Sequence, residues 1–491
     1  MILLRIAEKL LILYFGLYLL IDIMLYLGSF VIFLRRKAPK PKPDPNGQSA
    51  PFVSVIVPAY NEEVSIVPCI RMLLDLDYPN YEVIVVNDGS KDTTRDKMLE
   101  AFSWGSETEP LHPDETLQTA TVESIYASVD QRLIFIDKQN GGKADAINAG
   151  ILNARGKYIC TIDADSILDR EALTRVIEPL ERDPAVFVSG GQLALSNNLV
   201  IRGNRVVSAR MPRNIWVHWQ ILEYISTFMV ARISLSRINA LLIMSGAFSV
   251  FRKEDLLATG GFLTKTNRHP YTTRTLGTGK HTITEDMEVV LRLWKYHRDG
   301  RRPARAVFLP GPVCWTEAPE KPSQLYKQRM RWHQGLAETL SMYRKMMFEP
   351  KYRMTGLVAL PYYFFMELIA PVVKLFSVLF VTYMVAGGYL NRDWVLLMLA
   401  GTILITTIVM STITVLIENW SNHQSATNRD ALRYKNLGEW TVLLLSGILA
   451  NFSYSFYRMF AQLHGLLNYF RKKQEWNKFE RKGVVYEEQL P

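Results

Sequence analysis

The chain has little sulfur chemistry to offer. Its three cysteines, Cys69, Cys160 and Cys314, lie far apart and form no CxxC pair. Neither a disulfide framework nor a zinc site fits them, and they read as buried, reduced thiols of a cytosolic domain. The GxxxxGK(S/T) spacing of a phosphate loop is absent, and so is any GxGxxG. That argues against an ATPase and against a dinucleotide-dependent dehydrogenase. Hydrophobic residues, at 48%, are not scarce enough for a disordered chain; charges, at 21%, are not scarce enough for a bundle made only of membrane helices. A mean hydropathy of +0.03 over 491 residues is therefore an average over unlike parts. The length suits two to four units of roughly 100–200 residues each. A net charge of +10, from 57 Lys and Arg against 47 Asp and Glu, leaves nucleic acid, anionic lipid and a phosphorylated substrate open until the position of the charge decides.

The apolar residues concentrate at the two ends. Leu10 to Leu34 is almost wholly apolar and exceeds the about 20 residues that a helix needs to cross a bilayer. No A-x-A-like cleavage site follows it, so it reads as an uncleaved anchor. Arg35, Arg36, Lys37, Lys40 and Lys42 follow the span, against Arg5, Glu8 and Lys9 before it, which puts the next segment in the cytoplasm. Residues 1–37 are thus a membrane anchor and 38–51 a Pro-rich, semi-rigid linker. Apolar runs return at Leu368–Tyr389 and Trp394–Ile417, which predict two crossings, and a polar basic stretch from Asn419 to Gly438 predicts a cytoplasmic loop. Trp440–Tyr457 continues amphipathically to Phe470. A full third crossing there would put the basic tail 471–491 outside, so the expectation is a hairpin or a helix lying at the interface. Residues 353–366 are a second candidate for an interfacial helix. Asp22 and Lys374 fall inside apolar spans and either pair with one another or line a polar channel.

The middle of the chain, 52–345, alternates strands and helices. VSVIVP at 53–58, YEVIVV at 81–86, residues 131–136 and YICTI at 158–162 are apolar, β-branched runs of the kind buried on both sheet faces. Helical patterns over 65–76 and 143–154 separate them, which predicts right-handed crossovers and a mostly parallel sheet. Ligands of such sheets bind beyond the carboxyl ends of the strands, where Asp88, Asp163 and Asp165 all fall. Asp163 and Asp165, two apart on an extended segment, point to one side, and two converging carboxylates call for a cation such as Mg2+ or Mn2+. Gly141 and Gly142 open a helix whose N-terminus favours anions, and Lys143 could reach a diphosphate. Thr284-Glu285-Asp286 starts another helical stretch. Gln328, Arg331 and Trp332 share a face of the helix that contains QRMRW: an amide for a hydroxyl, a guanidinium for phosphate, an indole for a sugar ring.

Taken together these residues resemble family 2 glycosyltransferases of the membrane-embedded, polysaccharide-synthesising kind, which include cellulose, chitin, hyaluronan and poly-N-acetylglucosamine synthases. The pattern D, DxD, (T/E)ED, Q(Q/R)xRW reads here as Asp88, Asp163–Asp165, Asp286 and 328–332. The resemblance covers about 53–335 and implies a GT-A fold, Rossmann-like and cytoplasmic, flanked by transmembrane helices, with inversion at the anomeric carbon. It assigns Tyr60, Glu62 and Asp88 to the uracil and ribose, with Lys143, Asp163, Gln328 and Arg331 also on the nucleotide sugar. It gives Asp165 and Asp163 to the metal, Asp286 to the general base, and Trp332, Ser245 and Gly246 to the acceptor. The implied donor is a UDP-sugar, N-acetylglucosamine before glucose. The implied acceptor is a growing β-linked polysaccharide, or a lipid-linked one in a non-processive alternative. Membrane lipid and a small membrane or secretion subunit complete the expected partners, at the plasma membrane, through which 346–470 would pass the product. Two stretches depart from the pattern: 102–130, expected to be a polar surface loop, and 263–283, a basic loop before Thr284. Most of the excess positive charge lies at 35–42, 429–435, 471–482 and in that basic loop. This is the distribution of a cytoplasmic membrane face, and no basic–aromatic motif supports nucleic acid.

Overall fold

The computed structural model describes residues 2–35, 50–107, 117–202, 205–209, 211–398, 437–472 and 485–486, with scattered positions between 400 and 416. Its centre is a sheet of ten strands: β1 (Val53–Ala59), β2 (Tyr81–Asp88), β3 (Trp104–Glu107), β4 (Val122–Ser128), β5 (Leu133–Lys138), β6 (Tyr158–Ile162), β7 (Ile167–Leu168), β8 (Val186–Leu195), β11 (Phe248–Arg252) and β12 (Arg305–Thr316). The order is β3-β4-β5-β2-β1-β6-β11-β8-β12-β7. Two short strands, β9 (Leu199–Arg202) and β10 (Arg205–Ala209), pair with each other and with β13 (Val485–Tyr486) in a small separate sheet.

The four strands legible as apolar runs are the parallel heart, β5-β2-β1-β6. Every residue of β2, β5 and β6 is buried, because helices cover both faces of a parallel sheet. The sheet as a whole is mixed rather than mostly parallel. β11 runs antiparallel between β6 and β8, and β4 and β3 add antiparallel strands at the other edge. The stretch 102–130 is thus no simple surface loop. Its described ends are β3 and β4, held to β5 by Trp104, Tyr126 and Phe135 with ring centroids 5.8–6.2 Å apart. Apolar contact between those rings, about 0.5–1.5 kcal/mol a pair beyond their burial, is what turns a polar stretch into sheet edge. The basic loop 263–283 likewise carries a short helix, Pro270–Leu276, started by Pro270 with His269 as its cap. Cys69, Cys160 and Cys314 are buried and free, as expected.

The N-terminal helix, Ile2–Arg35, is long and apolar enough to cross a bilayer. It touches the domain near its C-terminal end, where Ser29 Oγ lies 2.8 Å from Ser234 Oγ and Ser234 donates to Leu25 O at 2.6 Å. A Cβ on Gly28 would stand 2.8 Å from Ser234 Oγ, so glycine permits the approach. Thr355–Leu368 and Ala370–Ala386 form a pair bent by 42° that would make a second span if it counts as one. The candidate interfacial segment 353–366 is the first arm of that pair.

Lys374 donates to Ser455 and forms no ion pair with Asp22, because its helix packs against Tyr454–Arg471 and that helix supplies the acceptor. The apolar run from Trp440 divides into Leu437–Phe452 and Tyr454–Arg471. The second of these lies on the QRMRW helix, Pro322–Met342, so closely that a Cβ on Gly465 would stand 2.3 Å from Met330 O. Most of the linker 38–51, most of the expected crossing Trp394–Ile417, nearly all of the loop 419–438 and most of the tail 471–491 lie outside the described residues.

Candidate active site

β1, β2, β5 and β6 end on one side, and their loops are stitched together there. Asn61, at φ 54°, donates its N–H to Ser90 Oγ at 2.9 Å, and its side chain accepts from Lys91 N at 2.7 Å. Glu62, nearly buried, receives Ser65 Oγ at 2.7 Å while its N–H reaches Thr94 Oγ1 at 2.8 Å. These bonds fix the two residues after Tyr60 against the segment that follows β2.

Asp88 is the knot of this region. Its two oxygens accept from Lys138 Nζ at 2.6 Å, Gly141 N at 2.9 Å, Gly142 N at 2.8 Å and Asn140 Nδ2 at 3.2 Å. A carboxylate has about four lone-pair sites, so these donors fill it. Gly142 stands at φ +93°, a conformation L side chains rarely adopt, and only then do consecutive N–H groups aim at one carboxylate. Lys138 is shared with Asp145 at 2.8 Å, and Asp145 in turn accepts from Ala120 N at 3.1 Å. The inserted edge is thereby tied to the glycine loop. Beside the knot opens a cavity of about 550 Å³ lined by Asn87, Ser90, Arg95, Tyr126, Asp137 and Asn140. Tyr126 comes from the insert, so the stretch without a sequence-level role forms one wall.

Lys143, the first residue of the helix Lys143–Asn153, sits 2.6 Å from Asp163 Oδ1, 3.2 Å from Glu285 Oε1 and 3.4 Å from Gly246 O. Burial would favour its neutral form, but the charges of Asp163 and Glu285 override that and hold the ammonium more firmly than usual. Asp286 opens the helix Glu285–Asp299. Its Oδ2 accepts Gly246 N at 3.0 Å and its Oδ1 accepts Met287 N at 2.9 Å. Loss of water and then the charge of Glu285 push its carboxyl up to about 6, against the pull of Lys143. Gly246 is where these groups converge: a Cβ there would stand 3.2 Å from Lys143 Nζ and 3.3 Å from Asp286 Oδ2. Its neighbour Ser245 uses its hydroxyl locally, accepting Ala247 N at 3.3 Å.

The carboxylates of Asp163 and Asp165 end β6, Asp163 partly open and Asp165 buried. Their oxygens are the hard donors that suit Mg2+ or Mn2+. Among the described residues no three His, Cys, Asp or Glu gather about one point. A cation between these two would therefore take its remaining ligands from a bound phosphate or water.

The QRMRW helix closes the site from the other side. A Cβ on its Gly335 would meet Thr284 Cγ2 at 2.3 Å, and Glu338 accepts Ile283 N at 3.1 Å. This packing brings the turn of Gln328, Arg331 and Trp332 up against the segment that carries Asp286. Trp332 lies with its ring 5.7 Å from Phe228 and 4.2 Å from the guanidinium of Arg329; Gln328 accepts from Arg329 at 2.8 Å.

Arg329 itself reaches Glu223 Oε2 at 2.6 Å, and Glu223 also accepts Tyr454 OH at 2.6 Å and Arg458 at 2.9 Å. Burial alone would raise the Glu223 carboxyl, but Arg329 and Arg458 hold it down at about 2. Glu223, Arg329, Phe228 and Glu285 belong to the constellation and were not singled out by sequence reasoning. Only Glu285, inside Thr284–Asp286, and Arg329, inside QRMRW, carried a signal.

Comparison with known proteins agrees with this geometry. The model of "Glycosyl transferase family 2" matches residues 54–257, and that of "Glycosyl transferase family group 2" matches 158–410, half of the chain. The poly-beta-1,6-N-acetyl-D-glucosamine synthase of Staphylococcus aureus is 29% identical over 301 residues, 61% of this chain and 58% of that protein. The synthase of the same description in Staphylococcus epidermidis is 28% identical over 295 residues, 60% of this chain and 56% of that one. The chain thus spans less than three fifths of the length of these curated relatives. A mannosyltransferase of Pyrobaculum calidifontis, solved with GDP-Man and Mn2+, superposes over 96% of this chain and 100% of its own, with a TM-score of 0.52 at 18% identity, which is a likeness of fold.

Proposed function

The chain belongs to glycosyl transferase family 2, and on that premise we propose that it transfers a sugar from a UDP-sugar, with inversion, to a growing β-linked polysaccharide. The observation that carries this reading is the meeting of Lys143, Gly246 and Asp286 between the carboxylates of β6 and the QRMRW helix. UDP-N-acetylglucosamine is the favoured donor, supported by the likeness to the staphylococcal synthases. On this reading 52–345 is the catalytic domain, and it works at the cytoplasmic face of the cell membrane. Helices before it and within 346–470 anchor it there and lead the product across.

The chemistry asks for opposite things on the two faces of the donor sugar. The acceptor hydroxyl gives its proton to Asp286 and attacks the anomeric carbon. The bond from that carbon to the diphosphate breaks, and UDP leaves with the electron pair. A carboxyl near 6 is still largely ionised at neutral pH yet basic enough to take the proton. Lys143 holds positive charge where negative charge builds on the departing diphosphate. A divalent cation, Mg2+ or Mn2+, held by Asp165 with Asp163 would neutralise that diphosphate further. Tyr60 and Glu62 face the nucleotide, and Asp88 acts through the Gly141–Gly142 loop it pins. Gln328 and Arg331 also meet the nucleotide sugar, and Trp332, with Ser245 and Gly246, forms the acceptor side.

Two substitutions separate these roles. Asp88→Asn loses the charge that gathers Lys138 and two glycine amides, and UDP affinity should fall about tenfold, read by calorimetric titration. Unchanged affinity would show that the loop holds its shape without the charge. Asp165→Ala should remove most of the metal dependence of UDP binding. A metal titration identical to wild type would exclude Asp165 as a ligand. The reaction itself is tested with the full chain in detergent, by screening UDP release across donor sugars and sizing the product. A ladder of polymer supports the proposal, a single adduct on lipid replaces it with one-step transfer, and no UDP release refutes it.

A further inference from the structure

Among the described residues Arg232 has no ion-pair partner. It is 8% exposed, yet among the described residues its guanidinium makes no hydrogen bond or ion pair, and none of its nitrogens is sealed from solvent. A guanidinium offers five N–H donors. Water can meet donors that still reach solvent, and a ligand entering that place would offer them oxygens instead. It stacks on Phe228, whose ring centroid lies 4.9 Å away.

The surroundings say what kind of ligand. Phe228 and Arg232 stand four residues apart, where a wide π-helical turn, Tyr224–Val230, passes into the helix Ala231–Arg237. Such turns are rare and recur at functional sites. Phe228 joins Arg232 to Trp332 of QRMRW at 5.7 Å and to Tyr224 at 4.7 Å. Burial weakens the hold of Arg232 on its proton, and Tyr363 and then Asp286 partly offset that. A flat aromatic wall with a fork of donors at its edge matches one face of a pyranose. An anionic sugar would be repelled by Asp286 and Glu285, and a free amino sugar, protonated at neutral pH, by Arg232.

We propose that Arg232, set on Phe228 beside Trp332, forms an acceptor subsite that takes a neutral, oxygen-rich sugar unit and rejects one carrying a free ammonium. The assignment rests on the glycosyl transfer proposed above and adds to it a residue that selects the acceptor. Its N–H groups go to hydroxyl or amide carbonyl oxygens of the unit whose hydroxyl faces Asp286, while the rings support the apolar face of the sugar.

The test uses the full chain in detergent with UDP-N-acetylglucosamine and two acceptors, a short oligomer of N-acetylglucosamine and the same oligomer after N-deacetylation. UDP release is followed. The wild type should prefer the acetylated acceptor by at least about tenfold. Arg232→Gln should raise the acceptor KM about tenfold, leave the donor KM unchanged and narrow the preference to within about threefold. Arg232→Lys, which keeps the charge, should keep the preference while losing affinity. Phe228→Leu should raise the acceptor KM with the preference intact, and it stands in should the arginine variants not fold. An unchanged acceptor KM, or a donor KM that rises in step, overturns the subsite. Absence of acceptor-stimulated UDP release in the wild type overturns the reaction, and the subsite with it.

Discussion

Asp286→Asn is expected to abolish transfer while leaving the nucleotide sugar bound. The amide keeps the shape of the side chain, and its oxygen can still accept the Gly246 N–H that Asp286 receives at 3.0 Å. It cannot take a proton. Removing a positioned general base costs about 10²–10⁴-fold in rate. Donor affinity, proposed to rest on other groups, should change by less than about threefold. The pH profile gives an independent reading. The wild-type carboxyl, raised to about 6 by loss of water and by Glu285, is active when ionised. Activity should therefore rise with pH through about 6 and level off above it, falling about tenfold for each unit below. In Asp286→Asn that acid limb should vanish from the residual rate. Turnover near wild type, or an acid limb that survives the substitution, would move the base to another residue.

The second large effect concerns Glu223. Its carboxylate bridges two guanidinium groups: Arg329 from the QRMRW helix at 2.6 Å, and Arg458 from Tyr454–Arg471 at 2.9 Å. Glu223→Ala leaves two cations facing one another without a counter-charge, and breaking such a pair costs about 3–5 kcal/mol. Thermal unfolding should show it directly. Because Arg329 lies 4.2 Å over Trp332, the acceptor KM should rise as well, with the donor KM little changed. Glu223→Gln, which keeps the hydrogen bonds and loses the charge, should be milder. Combining Glu223→Ala with Arg329→Met should recover part of the loss, since the double change removes one of the stranded charges. Additive losses in the double variant would show that the two residues do not act as a pair.

The catalytic half of the fold was legible because burial on both faces leaves a plain mark. β1, β2 and β6 are apolar runs, and each leads to a residue for which a role is proposed: Tyr60 just after β1, Asp88 at the end of β2, Asp163 just after β6. β12 left no such mark. It contains Pro310, Gly311 and Pro312, and its pairing with β8 slips at that point, so the apolar run is interrupted where the strand bends. The insert was illegible for a different reason: Trp104 and Tyr126 matter only once Phe135 of β5 is beside them. Motif residues such as Asp286 and Trp332 could be named from spacing. The four donors that fill Asp88, and the pairing of Glu223 with residues 106 and 235 positions away, arise from folding and have no local trace.

The way the N-terminal helix is fastened has a consequence for how far this enzyme can be altered. Ser29 and Gly28 dock that helix on Ser234, two residues beyond Arg232. With the membrane anchoring proposed above, this direct clasp between helix and domain would set the height of the reaction centre over the bilayer. The length of the tether sequence 36–49 would then matter little to that height. Lengthening it with a few Gly or Ser residues should leave turnover unchanged, whereas a bulky residue at position 28 would unfasten the clasp at unchanged tether length. Natural variants are accordingly expected to vary freely in the tether and sparingly at the clasp.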